Sequence, residues 1–468
     1  MIENFDIATD LLQLISSEQA YHYRIIPVSS DNGILHFKSD QVSNALKLEL
    51  EIVLNQKVLL IEEHSDHIQQ YLTVNFRQRN NRQSEDLHYS ADFLEKLLLT
   101  AKDIGSSDIH FEPYEHKCRV RFRLDGKLKE HFVISSQEYP IIVNKLKIKA
   151  GLDISEKRLP QDGRITIKTD INEFDIRVSS LPTLHGEKMV LRILSKDATH
   201  INLEDLGFTE SELMTYHETI KKPNGIILIS GPTGSGKTTT LYATLKRLND
   251  DQTNILTIED PIEYTLEGIN QVQLKENIGL DFSSTLRTFL RQDPDIIMVG
   301  EIRDAKTANM AIRAALTGHL VLSTIHTNSA WATISRLIDM GIPPFLIAST
   351  LNASVAQRLV RRLCDHCKEE VKVSKDIFPS HFEIPNDLSM HYKAVGCNHC
   401  YHTGYQGRKA IYEILPIDKT LINHIRDNDL EIDNYIKEHN IKTLKHNAIE
   451  LIKQGITSVD EVYALLSD

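Results

Sequence analysis

Residues 226–241 read Ile-Ile-Leu-Ile-Ser-Gly-Pro-Thr-Gly-Ser-Gly-Lys-Thr-Thr-Thr-Leu. The apolar run Ile226–Ser230 has the length of a strand covered on both faces. A helical pattern follows, with Leu241, Leu245 and Leu248 on one face. Between them, Gly231-Pro232-Thr233-Gly234-Ser235-Gly236-Lys237-Thr238 matches G-x-x-x-x-G-K-[ST]. Its glycines let the backbone turn so that successive N–H groups face phosphate oxygens, and the helix that follows adds its positive dipole end. A chance glycine-rich turn would lack the strand before and the helix after. Residues Gly231–Thr239 are therefore the candidate nucleotide-binding segment. Lys237 is placed for the β- and γ-phosphates of ATP and the Thr238 hydroxyl for Mg2+.

Further strand–loop–helix units surround this one, with apolar runs at Ile255–Ile258, Ile296–Val299 and Leu320–Thr324. Runs of this kind joined by helices predict an α/β domain on a parallel sheet, with functional residues at the carboxyl ends of its strands. Two acidic segments fall at such ends. In Thr257-Ile-Glu259-Asp260-Pro-Ile-Glu263, Glu259 or Asp260 is the expected source of negative charge near the metal. In Asp295-Ile-Ile-Met-Val-Gly300-Glu301-Ile-Arg-Asp304, Glu301 is the candidate general base. Gly300 stands where many phosphate-loop proteins carry Asp, which is why the metal-side charge is sought elsewhere. His319 and His326 bracket the strand between them. Seven residues apart, they face opposite sides of a continuous strand. His326, at the carboxyl end, is the candidate γ-phosphate sensor, whereas His319 fits a structural role equally well. Arg287 and Arg291 are one helical turn apart and are candidate cations for the γ-phosphate, as are Arg164 and Arg177 upstream.

The chain has 468 residues, more than one core usually organises. With 41% hydrophobic and 25% charged residues it has an ordinary globular composition, and no apolar run approaches the roughly 20 residues of a membrane span. An acidic N-terminus without a signal-peptide layout predicts a cytoplasmic protein. A net charge of −12 argues against general nucleic-acid binding. The domain reading is a small α/β module over 1–76, a polar linker over 77–86 and an α+β domain over 87–200. The phosphate-loop domain follows over 201–358, then a cysteine-bearing insert over 359–408 and a helical part over 409–468. In the α+β domain a helix carries Phe93, Leu97, Leu98 and Ala101 on one face. The strand Arg119–Leu124 runs into an Asp125-Gly126 hairpin turn, and Arg164–Lys168 with Glu173–Val178 form a further strand pair.

Four of the five cysteines form two close pairs, Cys364/Cys367 and Cys397/Cys400, with 29 residues between the pairs. Two C-x2-C knuckles in a reducing compartment suit a four-thiolate Zn2+ site. With no ligand position left for water, its role is structural. Cys118, on an Arg-rich strand, reads as a half-buried thiol.

These motifs, in this order, resemble the secretion-traffic ATPase family of type II secretion and type IV pilus assembly. The resemblance is carried by Ser106–Pro113, Glu156–Arg164, Phe174–Ser179 and the phosphate loop. It continues through the Glu259 segment, Leu290–Asp295, Gly300–Asp304, Thr317–His319 and His326–Asn328. It implies a RecA-like motor behind a PAS-like domain, a homo-hexamer, and ATP held between the two domains. By motif position it makes Arg164, Arg177, Arg287 and Arg291 the arginine sensors. A four-cysteine insert is typical of the assembly branch, so the resemblance favours assembly over retraction. It also implies an inner-membrane platform partner, docking of residues 1–76 on a membrane-anchored protein, and peripheral association with the inner membrane. Residues 1–76 lack a glycine-rich cyclic-dinucleotide motif, so such binding is not expected. A retraction motor of the same fold and a DNA-translocating motor are the competing readings; only the latter requires strongly salt-dependent DNA binding.

Overall fold

Strand β1 (Ile25–Asp31) pairs antiparallel with β2 (Ile34–Ser39), and β2 pairs parallel with β3 (Lys57–Glu62) across the helix α1 (Asn44–Leu54). Along β2, Leu35, Phe37 and Ser39 are buried and their neighbours partly exposed, the period-two signature of a one-sided sheet. Leu35 and Phe37 join Ile25, Ile26, Leu50 and Val58 in one core. The small α/β module expected at the N-terminus is therefore present. The computed structural model describes residues 11, 14–15, 19–20, 23–31, 33–54, 56–65, 67–68, 71–72, 93–168, 173–194 and 201–467. The expected linker at 77–86 lies outside the described residues. The chain divides into two compact units. One is Met1–Leu97 with Tyr114–Arg119 and Phe132–Pro140; the other is Leu98–Pro113, Val120–His131 and Ile141–Asp468.

Helix α2 (Phe93–Asp103) buries the four residues its periodicity selects, Phe93, Leu97, Leu98 and Ala101. Six strands then form one sheet in the order β6-β5-β4-β9-β8-β7. They are β4 (Asp108–Pro113), β5 (Lys117–Leu124), β6 (Lys127–Ser135), β7 (Gln161–Lys168), β8 (Glu173–Thr183) and β9 (Gly186–Leu194). The β5–β6 turn carries Asp125 and Gly126, both with positive φ, as a two-residue hairpin requires. Cys118 on β5 is fully buried rather than half-buried. Helix α3 (Tyr139–Ala150) precedes β7 and encloses Lys147, which has no exposed surface. The Lys147 ammonium lies 2.5 Å from Glu187 and donates to the carbonyls of Asp153 and Glu156, anchoring the loop that leads into β7. The β7–β8 register sets Arg164 directly opposite Arg177.

The motor sheet has seven strands in the order β12-β11-β13-β14-β10-β15-β18. Helix α4 (Glu210–Ile220), closed at its start by a Thr209/Glu212 capping box, precedes β10 (Gly225–Ser230). After β10 come α5 (Lys237–Leu248), β11 (Ile255–Glu259) and β12 (Asn270–Gln273). They are followed by α6 (Phe282–Phe289), β13 (Ile296–Val299), α7 (Ala305–Leu316) and β14 (Leu320–Ile325). Along β10, Ile226 and Leu228 enter one hydrophobic cluster and Ile227 and Ile229 the other. Both faces are covered, so the strand reads as an unbroken apolar run. Strands β10 through β14 are mutually parallel. The fold is thus α/β with a parallel motor sheet.

Two long strands complete the sheet: β15 (Leu351–Leu363), parallel to β10, and β18 (Tyr405–Pro416), antiparallel to β15. The part read as helical from residue 409 therefore starts inside a strand, and its helices run from Lys419 onward. Between β15 and β18 lie the four cysteines and a small antiparallel pair, β16 (Glu369–Lys372) with β17 (Met390–Lys393).

Candidate active site

The phosphate loop turns between β10 and α5. Gly231 and Gly236 have φ of 150° and 87°. A Cβ on Gly231 would stand 2.5 Å from the Gln357 carbonyl, and one on Gly236 would stand 2.9 Å from Gln357 Nε2. No larger residue fits the loop against β15. Helix α5 starts at Lys237 with no side chain capping its first turn, so its amino-terminal N–H groups face the loop's concavity. Lys237 Nζ donates to the carbonyls of Gly231 and Pro232, at 2.8 and 3.0 Å, within its own loop. Among the described residues the buried hydroxyl of Ser235 meets no hydrogen-bond partner. An ammonium turned back on its own loop and an orphaned hydroxyl are what a cradle for an anion leaves when only protein is counted. Burial pushes the Lys237 ammonium below the ordinary lysine range; the charge of Glu301 opposes that shift and Arg358 adds to it.

Glu301 follows β13, separated from β10 only by β14. The turn carrying it is pinned from both neighbours: Gly300 N–H donates to the Ile258 carbonyl, Ile302 N–H to the Thr324 carbonyl, and Thr324 Oγ1 to the Gly300 carbonyl. A Cβ at position 300 would lie 3.3 Å from the Ile258 carbonyl, a tight approach between β13 and β11. One Glu301 oxygen is held by Arg303, and the other lies 3.5 Å from His326 Nε2. Arg303 also stands 3.9 Å from Asp260. Arg303 thus links Glu301 with Asp260, and Glu301 in turn approaches His326, at the carboxyl end of the sheet.

Other expected site residues lie elsewhere. His319 precedes β14 at its amino end, where its carbonyl accepts from Gly225 and its Nδ1 lies 2.8 Å from the Ala314 carbonyl. A full strand of six residues separates it from His326. That contact is the kind a structural histidine makes, the role the sequence held equally open for it. Glu259 is 3% exposed, and its carboxylate accepts from Tyr242, Thr257 and Gln271. Protein donors thus occupy it, and the metal-side candidate is the neighbouring, more exposed Asp260. Arg287 and Arg291 are exposed, and Arg291 Nη1 donates to the Arg287 carbonyl. The turn that follows is tied to Asn254, just before β11, through the Gln292 and Asp293 carbonyls. That is the end of the sheet away from the phosphate loop.

Arg164 and Arg177 are brought together across β7 and β8. Opposed like charges repel, and each has a carboxylate partner: Asp175 at 2.6 Å from Arg164, Glu263 at 3.2 Å from Arg177. Arg177 also donates to the Ile262 carbonyl, which places it against the segment that follows β11. Arg303, Tyr242, Gln357 and Arg358 are site residues that the sequence reading did not assign. Arg303 lies inside the quoted Gly300–Asp304 motif, two residues past Glu301. The other three are recognised only from the contacts of α5 and β15.

The four cysteine sulfurs lie within 4.8 Å of one another. Cys364–Cys397, Cys367–Cys400 and Cys397–Cys400 are each separated by 3.8 Å. Thiolates at about 2.3 Å from a tetrahedral ion stand about 3.8 Å apart. Backbone N–H groups of Gly396, Cys397 and Gly404 point at the sulfurs, as they would at thiolates.

Residues 83–464 match the family model described as type II/IV secretion system protein. The chain belongs to that family. Among relatives of this secretion-system chain, the type II secretion system ATPase E of Vibrio cholerae is 45% identical, over 81% of this chain and 77% of the relative. The type IV pilus assembly ATPase PilB of Myxococcus xanthus is 39% identical, over 98% of this chain and 87% of the relative. Among solved structures, the Legionella pneumophila ATPase DotB aligns over 81% of this chain and 96% of its own length, with TM-score 0.60 and 21% identity, a likeness of fold. The pilus retraction motor PilT with bound ADP aligns over 79% of this chain and 95% of its own length, with TM-score 0.54 and 25% identity. Among the described residues no helix is long and apolar enough to cross a membrane.

Proposed function

We propose that this chain is an ATP hydrolase that drives pilin or pseudopilin assembly through an inner-membrane platform. The observation that carries the hydrolase reading is the placement of Lys237, in the phosphate loop after β10, and Glu301, after β13, at the carboxyl ends of strands with only β14 between them. Lys237 and the amides of Gly231–Thr239 bind and neutralise the phosphates. Glu301, oriented by Arg303 and His326, accepts a proton from the attacking water. Thr238 and Asp260 would hold Mg2+, which supplies charge neutralisation at the phosphates. Arg177, with Arg164 beside it, brings positive charge from the α+β domain, while Arg287 and Arg291 face outward for a neighbouring copy. Family membership and the names of the relatives support the assembly role. The four sulfurs are proposed to hold a structural Zn2+. A hexamer, a membrane-anchored partner for residues 1–76, peripheral placement at the inner membrane and the domain boundaries given above complete the reading.

Lys237→Ala is the test. It is expected to lose nucleotide binding and turnover while keeping its circular dichroism spectrum. Full turnover in that variant would overturn the assignment.

A further inference from the structure

Tyr242 lies five residues beyond Lys237 on α5 and is 1% exposed. Its ring meets Tyr264 edge-on at 4.6 Å between centroids. Its hydroxyl works in both directions. It donates to the buried carboxylate of Glu259 and accepts the backbone N–H of Glu263 at 3.3 Å. Gln271 on β12 holds the same segment from the other side. It donates to Glu259 and to the Tyr264 carbonyl at 3.1 and 3.2 Å, and accepts the Leu266 N–H at 2.7 Å. The outer edge of the segment holds Arg177, through the Ile262 carbonyl and the Glu263 carboxylate.

One hydroxyl therefore lies between the helix that starts at Lys237 and the two residues that grip the arginine of the α+β domain. Resting on the ATP-hydrolysis reading above, we propose that Tyr242 is a positioning residue for that reaction. It fixes the Glu259–Tyr264 segment to the phosphate-loop helix and so sets where Arg177 stands relative to the bound phosphates. A phenol hydroxyl suits this place because it donates to the carboxylate and accepts from the amide at the same time, which phenylalanine cannot do. Burial raises the phenol above its ordinary range and Glu259 raises it further, so it keeps the proton it donates.

Phosphate binding itself does not pass through Tyr242, because the loop amides and Lys237 make those contacts. The expected signature is thus a loss in turnover with little change in affinity. In this chain, Tyr242→Phe is expected to lower kcat about 10²-fold, the scale of effect of a misplaced catalytic contact. KM for ATP is expected to change by less than about twofold, since ground-state phosphate contacts survive. Made in an Arg177→Ala background, the same substitution is expected to have no further effect on kcat, because both changes remove one coupled contact. Three results would overturn the proposal: a wild-type kcat in Tyr242→Phe; fold losses that multiply in the double variant; or a fall in unfolding midpoint with kcat and KM degraded together, which marks a merely structural tyrosine. Full hydrolysis by Lys237→Ala would instead overturn the reading of the site on which this rests.

Discussion

Lys147 offers the sharpest energetic test of how the α+β domain is held together. It has no exposed surface, Glu187 is 7% exposed, and their charged atoms are 2.5 Å apart. Lys147→Met keeps the length and apolar stem of the side chain but strands the Glu187 carboxylate in a low-dielectric site. Breaking one partner of a buried pair costs about 3–5 kcal/mol. The two carbonyls that lose the ammonium add little, because Gln161 Nε2 still donates to both Asp153 and Glu156 at 3.0 Å. Glu187→Leu should cost less, because the ammonium keeps the Asp153 and Glu156 carbonyls as acceptors. The double variant should recover most of the loss, since an apolar pair of matching volume is often neutral. Native-state hydrogen exchange of amides in β8 and β9 reads this locally, so unfolding elsewhere in the chain does not obscure it. Coupling of several kcal/mol between the two sites is expected. Additive losses, or a Lys147→Met variant within about 1 kcal/mol of wild type, would refute the buried-pair reasoning.

In the insert, Cys397→Ser is expected to lose about one zinc per chain, the stoichiometry of a single four-thiolate site, as measured by elemental analysis. A wild-type protein free of metal would contradict the site. His131 stacks on Phe122 with ring centroids 4.5 Å apart, and burial, assisted by Lys129, lowers its pKa to about 4. The unfolded chain then binds a proton at pH values where the folded chain does not. Stability should therefore fall as pH drops from about 6.5 toward 4, and His131→Phe should flatten that slope in pH-dependent denaturation.

The parallel core was legible because covering both faces of β10, β11, β13 and β14 makes each an apolar run between turn residues. β15 and β18 were less so. β15 carries Gln357, Arg358, Arg361 and Arg362 in its outer half, so its pattern breaks before the strand does. The Asp125-Gly126 turn and the helix face of Phe93, Leu97, Leu98 and Ala101 were local signals and came through intact. Tertiary contacts did not. Glu259 and Asp260 are adjacent in sequence, yet one is enclosed by Tyr242 and Gln271 while the other faces Arg303. His319 and His326 were separable in principle, since alternation and strand direction place only one of them at the carboxyl end. What the sequence could not weigh was the Ala314 carbonyl waiting for the other.

The most direct test of the hydrolytic centre is a single-turnover measurement on Glu301→Gln. The amide still fits between Arg303 and His326 but cannot take the proton from water. ATP binding is expected to stay close to wild type while the cleavage step slows about 10²–10⁴-fold, the range for a lost general base. Cleavage at the wild-type rate with ATP bound would contradict the role given to Glu301.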